Sequence, residues 1–416
     1  MSDEFDDERT ESDRAEPVAV GAPRNRMSRL ERIRARRTHT RRRAVAGAAV
    51  AVLVAVVLAV IFLGTKIFHS DSGEYSGAGK DDIVVQVHDG DSTTQIGQTL
   101  RDQDVVANVK SFVDAAKDNA AIAAIQPGFY KMRTEMSASS AVERLADPGT
   151  RVGKLVIPEG RQLDDVKAVG SDKTTDGIFT MIADASCVEL DGQRKCVAAE
   201  DLRKVAEQAD PAALNIPDWA MKPVAALGQN HRRLEGLIAP GAWNVDPSGS
   251  AQQILATLVA QSADHYVKGG LLDTAKAMSM SPYEILVVGS LVQREAKPAD
   301  FAKVARVIYN RLAAPQRLEF DSTVNYPLDR QEVATTDADR AKVTPWNTYA
   351  SDGLPATPIC SPGDEALAAA ERPDPGDWLY FVTVDMDGTT LFTKDYQQHL
   401  ANIELARRNG VLDSAR

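Results

Sequence analysis

One glutamate, Glu295, lies where a carboxyl group could act as a buried general acid. Spacings of three and four place Ile285, Val288, Val292 and Glu295 on one stripe of a predicted helix. A lone carboxyl group among aliphatic side chains is costly unless it has a chemical role. Glu295 is therefore the candidate catalytic residue. The alternative is that the apolar stripe simply ends at the surface in a polar side chain.

The helix that carries Glu295 has clear start and stop signals. Ser281 is a typical N-cap, Pro282 suits the first turn, and Glu284 occupies the reciprocal capping-box position. Pro298 then ends the helix. Apolar residues spaced by three and four predict a second helix over 301–312.

Two later segments, 319–326 and 345–349, combine flat aromatic rings with amide and hydroxyl groups. This combination suits sugar binding, because rings stack on the flat faces of sugars and polar groups bind hydroxyl and acetamide groups. The same residue types are also ordinary turn-forming material. A strand is predicted over 379–382, followed by a turn at Asp387 and Gly388.

The three cysteines do not form a metal-binding or nucleophilic motif. Cys187 and Cys196 lie close together in a polar insertion predicted to be a loop, and an oxidising compartment would favour a disulfide between them. Cys360 has no histidine motif nearby and is predicted to be a small core residue. No segment has the ligand spacing of a zinc or other structural metal site, so neither a metal nor a cofactor is expected.

Residues 44–64 form an unbroken uncharged run rich in valine, alanine and leucine. About 21 residues at ~1.5 Å each span roughly 30 Å, the thickness of a bilayer core, which predicts a single transmembrane helix. Arginine is dense between residues 24 and 43 and basic residues are sparse after residue 64, so the amino terminus is expected to be cytoplasmic and the rest extracytoplasmic. Nucleic-acid binding is the alternative use of the arginine run.

The charge distribution argues against an anionic ligand. The whole chain has a net charge of −11, and residues 1–43, predicted to be a disordered arginine-rich tail, hold 12 arginines against 9 acidic residues. The remainder is therefore acidic, and bulk charge would not hold it to nucleic acid or anionic lipid. A neutral or mixed-charge polymer is the expected ligand.

The exported part is predicted to have an α+β fold in two regions after a linker at 65–80. The first, 81–150, has strands at 83–87 and 127–132 and a helix at 137–145. The second, 151–410, begins with a strand, turn and helix over 155–169 that echo 85–100 and suggest a partial repeat, although any such unit looks similar at this level. An insertion at about 170–230 contains a helical stretch at 198–209.

Several blocks of this sequence resemble the YceG-like endolytic murein transglycosylases. In order, they are GSLVQREA (289–296), VARVIYNRL (304–312), DSTVNY (321–326), PWNTY (345–349), GLP (353–355) and SPG (361–363). Their order and spacing agree with that family over roughly residues 80–410. The resemblance implies one amino-terminal membrane helix, a small LysM-like α/β subdomain over 81–150 and a larger α+β catalytic domain over 151–410.

The resemblance also assigns roles to residues. The family's catalytic glutamate falls on Glu295, the second acidic position of a Glu-x-Glu segment whose first position is Gln293 here. Substrate binding and stabilisation of the charged transition state are implied for eight residues: Asn310, Asp321, Ser322, Thr323, Tyr326, Asn347, Thr348 and Tyr349.

Four positions near family motifs stand out. Gly241 and Ala242 replace the aspartate and threonine of the family's Glu-Gly-x-x-x-Pro-Asp-Thr pattern, which begins at Glu235. His399 aligns with a family histidine, whereas Thr390 stands where histidine is frequent.

The implied activity is endolytic cleavage of the MurNAc–GlcNAc β-1,4 bond in nascent peptidoglycan strands, which leaves 1,6-anhydroMurNAc ends and terminates or releases strands. One carboxyl group suffices because the attacking group is the substrate's own C6 hydroxyl, whereas hydrolytic glycosidases use two. Peptidoglycan strands and membrane-bound peptidoglycan synthases are the expected partners. The alternatives are a non-catalytic peptidoglycan-binding scaffold and a hydrolytic muramidase that uses Asp321 with water.

Overall fold

The computed structural model describes residues 73–117, 119–167, 173–328 and 335–411. All of them fall in one compact unit that begins at Gly73. The tail at 1–43 and the predicted transmembrane segment at 44–64 lie outside these residues. Within the described ranges, no helix is both long enough and apolar enough to cross a membrane.

The architecture is α+β, with many helices and small antiparallel sheets, as predicted for residues 81–410. The strands are β1 (Asp82–Val87), β2 (Gly128–Arg133), β3 (Arg151–Val152), β4 (Lys154–Ile157), β5 (Val166–Lys167), β6 (Thr174–Thr175), β7 (Val188–Leu190), β8 (Gln193–Lys195), β9 (Gly241–Asn244), β10 (Tyr380–Thr383) and β11 (Thr390–Thr393). The helices are α1 (Thr93–Asp102), α2 (Val109–Ala116), α3 (Ala120–Ala123), α4 (Ala138–Ala146), α5 (Ile178–Ala185), α6 (Ala199–Gln208), α7 (Asp218–Ala226), α8 (Ala251–Gly269), α9 (Leu271–Met278), α10 (Pro282–Glu295), α11 (Phe301–Ala313), α12 (Asp321–Asn325), α13 (Asp337–Arg340), α14 (Asp364–Glu371) and α15 (Tyr396–Arg408).

The region before residue 150 has its own sheet and its own core. Strands β1, β2 and β3 form an antiparallel sheet in that order, with Val85 opposite Tyr130. Its core contains Leu100, Phe112 and Leu145 from the helices that cover the sheet. The strands predicted at 83–87 and 127–132 and the helix predicted at 137–145 are confirmed.

The strand predicted at residue 155 is confirmed as β4, but the helix predicted to follow it is wrong. The described residues 161–167 form irregular chain and the short strand β5. Long-range hydrogen bonds occupy this backbone, because the N–H groups of Ile178 and Phe179 donate to the carbonyls of Gln162 and Leu163 at 2.9 and 3.2 Å. Tertiary pairing thus overrides the local helical pattern.

The segment between the two cysteines is a β-hairpin and not the predicted loop. Strands β7 and β8 pair around Asp191 and Gly192, which both have positive φ, as a two-residue type I′ turn requires. Cys187 and Cys196 form a disulfide with an S–S distance of 2.09 Å. The hairpin also contacts β1, because Asp82 N–H donates to Asp191 Oδ1 at 2.9 Å and Asp191 N–H donates to Asp82 Oδ2 at 3.0 Å.

Helix α10 lies in the centre of the main core and ends at Glu295. The predicted capping box is present, since Glu284 N–H donates to Ser281 Oγ and the Glu284 carboxylate accepts from the Ser281 N–H. Gly289 lies against α14, where a Cβ would be 3.4 Å from Leu367 Cα, an ordinary contact distance. The second predicted helix is confirmed as α11. A rigid, buried helix therefore carries the candidate catalytic residue.

Candidate active site

Glu295 lines a cavity of about 170 Å³ at the end of α10. The cavity wall is formed by the end of α10, one residue of α11 and the hairpin of β10 and β11: Arg294, Glu295, Ala296, Lys297, Val304, Phe381, Thr383, Gly388 and Thr390. The preceding stripe residues Ile285, Val288 and Val292 are fully buried, whereas Glu295 is half-buried. The carboxyl group thus lies between the core and an open cleft.

Burial raises the pKa of Glu295 to about 7. Although part of the side chain faces the cleft, the carboxyl group is enclosed closely enough for desolvation to be the largest influence. The hydroxyl and the backbone N–H of Ser322 lower the pKa of Glu295, and so does Arg294. Asp321 raises this pKa by charge repulsion. The Ser322 hydroxyl oxygen is buried and does not reach full hydrogen-bond geometry. A carboxyl group with a pKa near 7 can both donate and accept a proton at neutral pH.

Asp321 is a fixed carboxylate beside Glu295. Arg340 binds both of its oxygens, with Nη2 3.1 Å from Oδ2 and Nε 3.2 Å from Oδ1. The hydroxyl groups of Tyr349 and Thr335 donate to Oδ1 at 2.8 and 2.7 Å. The Arg340 guanidinium also lies 4.9 Å from the centre of the Tyr349 ring. Four hydrogen bonds, two of them from the bidentate arginine, hold this negative charge in one place.

Three of the predicted binding residues, Thr323, Asn347 and Thr348, are buried. Thr323 Oγ1 lies 2.9 Å from Thr348 Oγ1 and accepts from the Thr348 N–H at 3.2 Å. The Asn347 amide donates to the carbonyl of Arg340 at 3.0 Å. The threonine contacts join the segments 319–326 and 345–349 to each other, and the Asn347 contact joins 345–349 to the end of α13. Direct substrate contact by these three residues stays a prediction.

Asn310 and Tyr326 also lie outside the cavity wall. The Asn310 amide donates to the carbonyls of Trp378 and Gly376 at 2.9 and 3.2 Å, which holds the chain that enters β10. Tyr326 is buried, and its hydroxyl donates to Glu235 Oε2 at 2.7 Å. The structure thus brings Asp321, Ser322 and Tyr349 together near Glu295 and places the other five predicted binding residues around them.

The sequence did not identify the hairpin that forms the opposite wall. Phe381 stacks on Phe392 with ring centres 5.9 Å apart, and Thr383 and Thr390 place their hydroxyl oxygens 3.4 Å apart. Lys297 Nζ donates to the Asp387 carbonyl at 3.1 Å. The lysine passes directly over Gly388, where a Cβ would lie only 1.9 Å from Nζ, so a side chain at this position would have to displace the lysine. Alternating apolar residues predicted strand β10 but could not show that it meets Glu295.

His399 and Cys360 lie away from this cavity. The His399 ring stacks on Tyr380 at 5.0 Å, and burial together with Arg311 lowers its pKa. Cys360 is fully buried, with Sγ 3.5 Å from the Ser290 carbonyl oxygen. Among the residues that the structure describes, no group of histidine, cysteine, aspartate or glutamate is arranged to hold a metal ion.

Known proteins resemble this chain over most of its length. The endolytic murein transglycosylase of Bacillus subtilis is 28% identical over 323 residues, which cover 77% of this chain and 83% of that protein. The endolytic murein transglycosylase of Streptococcus pneumoniae D39 is 24% identical over 339 residues, covering 77% of this chain and 58% of that protein. A crystal structure of a YceG-like protein from Listeria monocytogenes aligns with a TM-score of 0.49 and 27% identity, covering 77% of this chain and 98% of that one. Residues 85–405 match the model of the YceG-like family, and the chain therefore belongs to that family.

Proposed function

We propose that this protein is an endolytic lytic transglycosylase that cleaves the MurNAc–GlcNAc β-1,4 bond within peptidoglycan glycan strands. The observation that carries this proposal is a single carboxyl group with a pKa of about 7 at the end of a buried helix, open to a cleft. The names of the relatives in Bacillus subtilis and Streptococcus pneumoniae support it.

The reaction uses Glu295 twice. As a carboxylic acid it donates its proton to the glycosidic oxygen, the C1–O bond of MurNAc breaks, and the GlcNAc residue leaves with a hydroxyl group. As a carboxylate it then accepts the proton of the MurNAc C6 hydroxyl, whose oxygen bonds to C1 and closes the 1,6-anhydro ring. The proton balance closes at Glu295, so neither water nor a second catalytic carboxyl group is needed.

Asp321 contributes charge to this reaction. Positive charge develops on the sugar ring as the glycosidic bond breaks, and a carboxylate held by Arg340 and Tyr349 stabilises it without moving. The same carboxylate keeps the pKa of Glu295 high. Asp321 therefore favours both the charged transition state and the protonated acid that starts the reaction.

The contacts of Asp321 argue against the muramidase alternative. A hydrolytic enzyme needs a second carboxylate that is free to accept a proton from water or to attack the sugar. Both oxygens of Asp321 accept hydrogen bonds from Arg340, and one also accepts from Tyr349 and Thr335. This arrangement suits a fixed charge better than a base.

The setting of the reaction is inferred from the sequence. Residues 44–64 anchor the protein in the cell membrane, with the amino terminus in the cytoplasm and the catalytic region outside. The region at 81–150 is a LysM-like subdomain. A linker of about 16 residues keeps the active site close to the bilayer, where membrane-bound peptidoglycan synthases release nascent strands.

The test is product analysis with the full-length protein in detergent and uncrosslinked glycan strands. Mass spectrometry should find 1,6-anhydro ends, each lighter by one water than a reducing end. Glu295→Gln should reduce cleavage by at least about 1000-fold because the amide cannot donate the proton. Glu365→Gln, a change at an exposed glutamate of α14, is the matched control and should retain activity. Reducing ends would indicate hydrolysis, and intact strands with the wild-type protein would indicate a binding protein.

A further inference from the structure

A second buried carboxyl group, Glu235, lies outside the cavity and has no part in the proposed reaction. The residue is 1% exposed. Its Oε2 accepts from the Tyr326 hydroxyl at 2.7 Å and from the Leu163 N–H at 3.2 Å. Its Oε1 is buried and has no hydrogen-bond partner among the described residues. A buried carboxyl group with an unpaired oxygen is costly, so its retention calls for a reason.

The charges around Glu235 do not neutralise it. Asp164 already binds the nearby basic side chains, with Arg203, His231 and Arg232 at 2.6, 2.8 and 2.9 Å. Burial raises the pKa of Glu235, the hydrogen bonds from Tyr326 and Leu163 oppose this rise, and Asp164 and Arg232 have smaller, opposite influences. The net pKa is about 8. Tyr283, Tyr266 and Cys360 also lie near enough to interact with its charge. Glu235 is therefore a neutral acid at pH 7, which accepts hydrogen bonds without a counter-ion.

Tyr326 connects Glu235 to the active site. Its ring packs edge-on against Trp346 at 5.3 Å, and its backbone N–H donates to the Ser322 carbonyl at 3.0 Å. Ser322 lies one turn away in α12, close enough to Glu295 for its hydroxyl and its backbone N–H to lower the pKa of that carboxyl group. Hydrogen bonds thus join Glu235 to Tyr326 and Tyr326 to α12, and Ser322 of α12 lies beside Glu295.

We propose that Glu235 is a positioning residue that holds α12 through the Tyr326 hydroxyl, so that Ser322 and Asp321 stay in place beside Glu295. This inference rests on the proposed function of Glu295 as the acid. Glu235 also anchors the loop at Leu163, so one carboxyl group joins three segments that are distant in sequence. Tyr326 thus acts through α12 and not as a contact to the sugar.

The inference predicts a specific change in Tyr326→Phe. Loss of the hydroxyl frees α12, and Ser322 then lowers the pKa of Glu295 less. Asp321 moves with the same helix and raises the pKa of Glu295. The Ser322 hydroxyl lowers that pKa by more than Asp321 raises it, and the Ser322 backbone N–H lowers it further. We therefore expect the pKa of Glu295 to rise by about one unit, with a lower kcat and an unchanged KM.

The pKa of Glu295 can be measured without reference to activity by carbon-13 NMR of labelled carboxyl groups in the full-length protein, with Glu295→Gln identifying the resonance. Glu235→Gln retains an acceptor for Tyr326 and should keep the Glu295 pKa. Glu235→Met removes the acceptor at similar volume and should raise that pKa, which keeps the inference testable if Tyr326→Phe fails to fold. The shift in the double variant Tyr326→Phe/Ser322→Ala should be smaller than the sum of the shifts in Tyr326→Phe and Ser322→Ala.

The possible results are distinguishable. An unchanged Glu295 pKa in both Tyr326→Phe and Glu235→Met would overturn the inference, as would additive shifts in the double variant. If the variants show the expected changes in the Glu295 pKa but the wild-type protein does not cleave glycan strands, the proposed function is overturned and the positioning of Glu295 by Glu235 still holds. A tenfold rise in KM with kcat and pKa unchanged in Tyr326→Phe would instead assign Tyr326 to substrate binding.

Discussion

The stability of this protein should depend on pH through Glu235. In the folded state the pKa of this carboxyl group rises from 4.5 to about 8, so the folded protein holds the proton more tightly than the unfolded chain. The contribution of Glu235 to stability is then greatest below about pH 4.5 and falls as the pH rises towards 8. At about 1.4 kcal/mol per pKa unit, Glu235 costs on the order of 5 kcal/mol above pH 8, a value that needs no discount for solvent because the residue is buried.

Glu235→Gln should remove this dependence because an amide does not titrate. The variant should gain stability relative to the wild type as the pH rises from 5 to 9, by a few kcal/mol across that window, with most of the gain between pH 6 and 8. Urea unfolding at fixed temperature and several pH values measures the difference, and exposed Glu365→Gln provides the control. A stability difference between Glu235→Gln and wild type that stays constant over this range would refute the reasoning.

Two further predictions concern the cavity wall and the disulfide. Phe381→Ala should raise KM about tenfold with little change in kcat, because the ring lines the cavity but takes no part in proton transfer by Glu295. Tyr396→Ala, a change at an exposed aromatic residue of α15, is the control and should leave KM unchanged. A fall in kcat alone in Phe381→Ala would contradict this role. Cys187→Ser/Cys196→Ser should lower the free energy of unfolding by about 2–3 kcal/mol, as expected for a short closed loop, and an unchanged urea midpoint would show that the hairpin is held by its other contacts.

Local signals were sufficient to predict the helix that carries the candidate acid. The capping box at Ser281 and Glu284 and the aliphatic stripe depend on neighbours within a few residues, and α10 begins and ends where they predict. The depth of Glu295 was not predictable, because it depends on the hairpin of β10 and β11, which joins the site from far along the chain. The helix expected after β4 was wrong for a similar reason, since its backbone pairs with α5.

The polar segments show a different limit. Thr323, Thr348 and Asn347 have the residue types that suit sugar binding, and the same types also join two loops through buried hydrogen bonds. Residue type cannot separate the two uses, because both need donors and acceptors at fixed positions. Asp321 and Ser322 come from the same segment yet lie beside Glu295, and only the fold distinguishes them from their neighbours.

The disulfide-closed hairpin of β7 and β8 gives the amino-terminal subdomain a second point of attachment. Asp191 exchanges hydrogen bonds with Asp82 at the start of β1, while Arg151 Nη2 donates to Asn244 Oδ1 at 2.9 Å on β9. A body fixed at two separate points cannot swivel about a single joint. A force transmitted through the chain that precedes β1 is therefore shared by both attachment points. The catalytic cleft keeps its orientation relative to the amino-terminal subdomain.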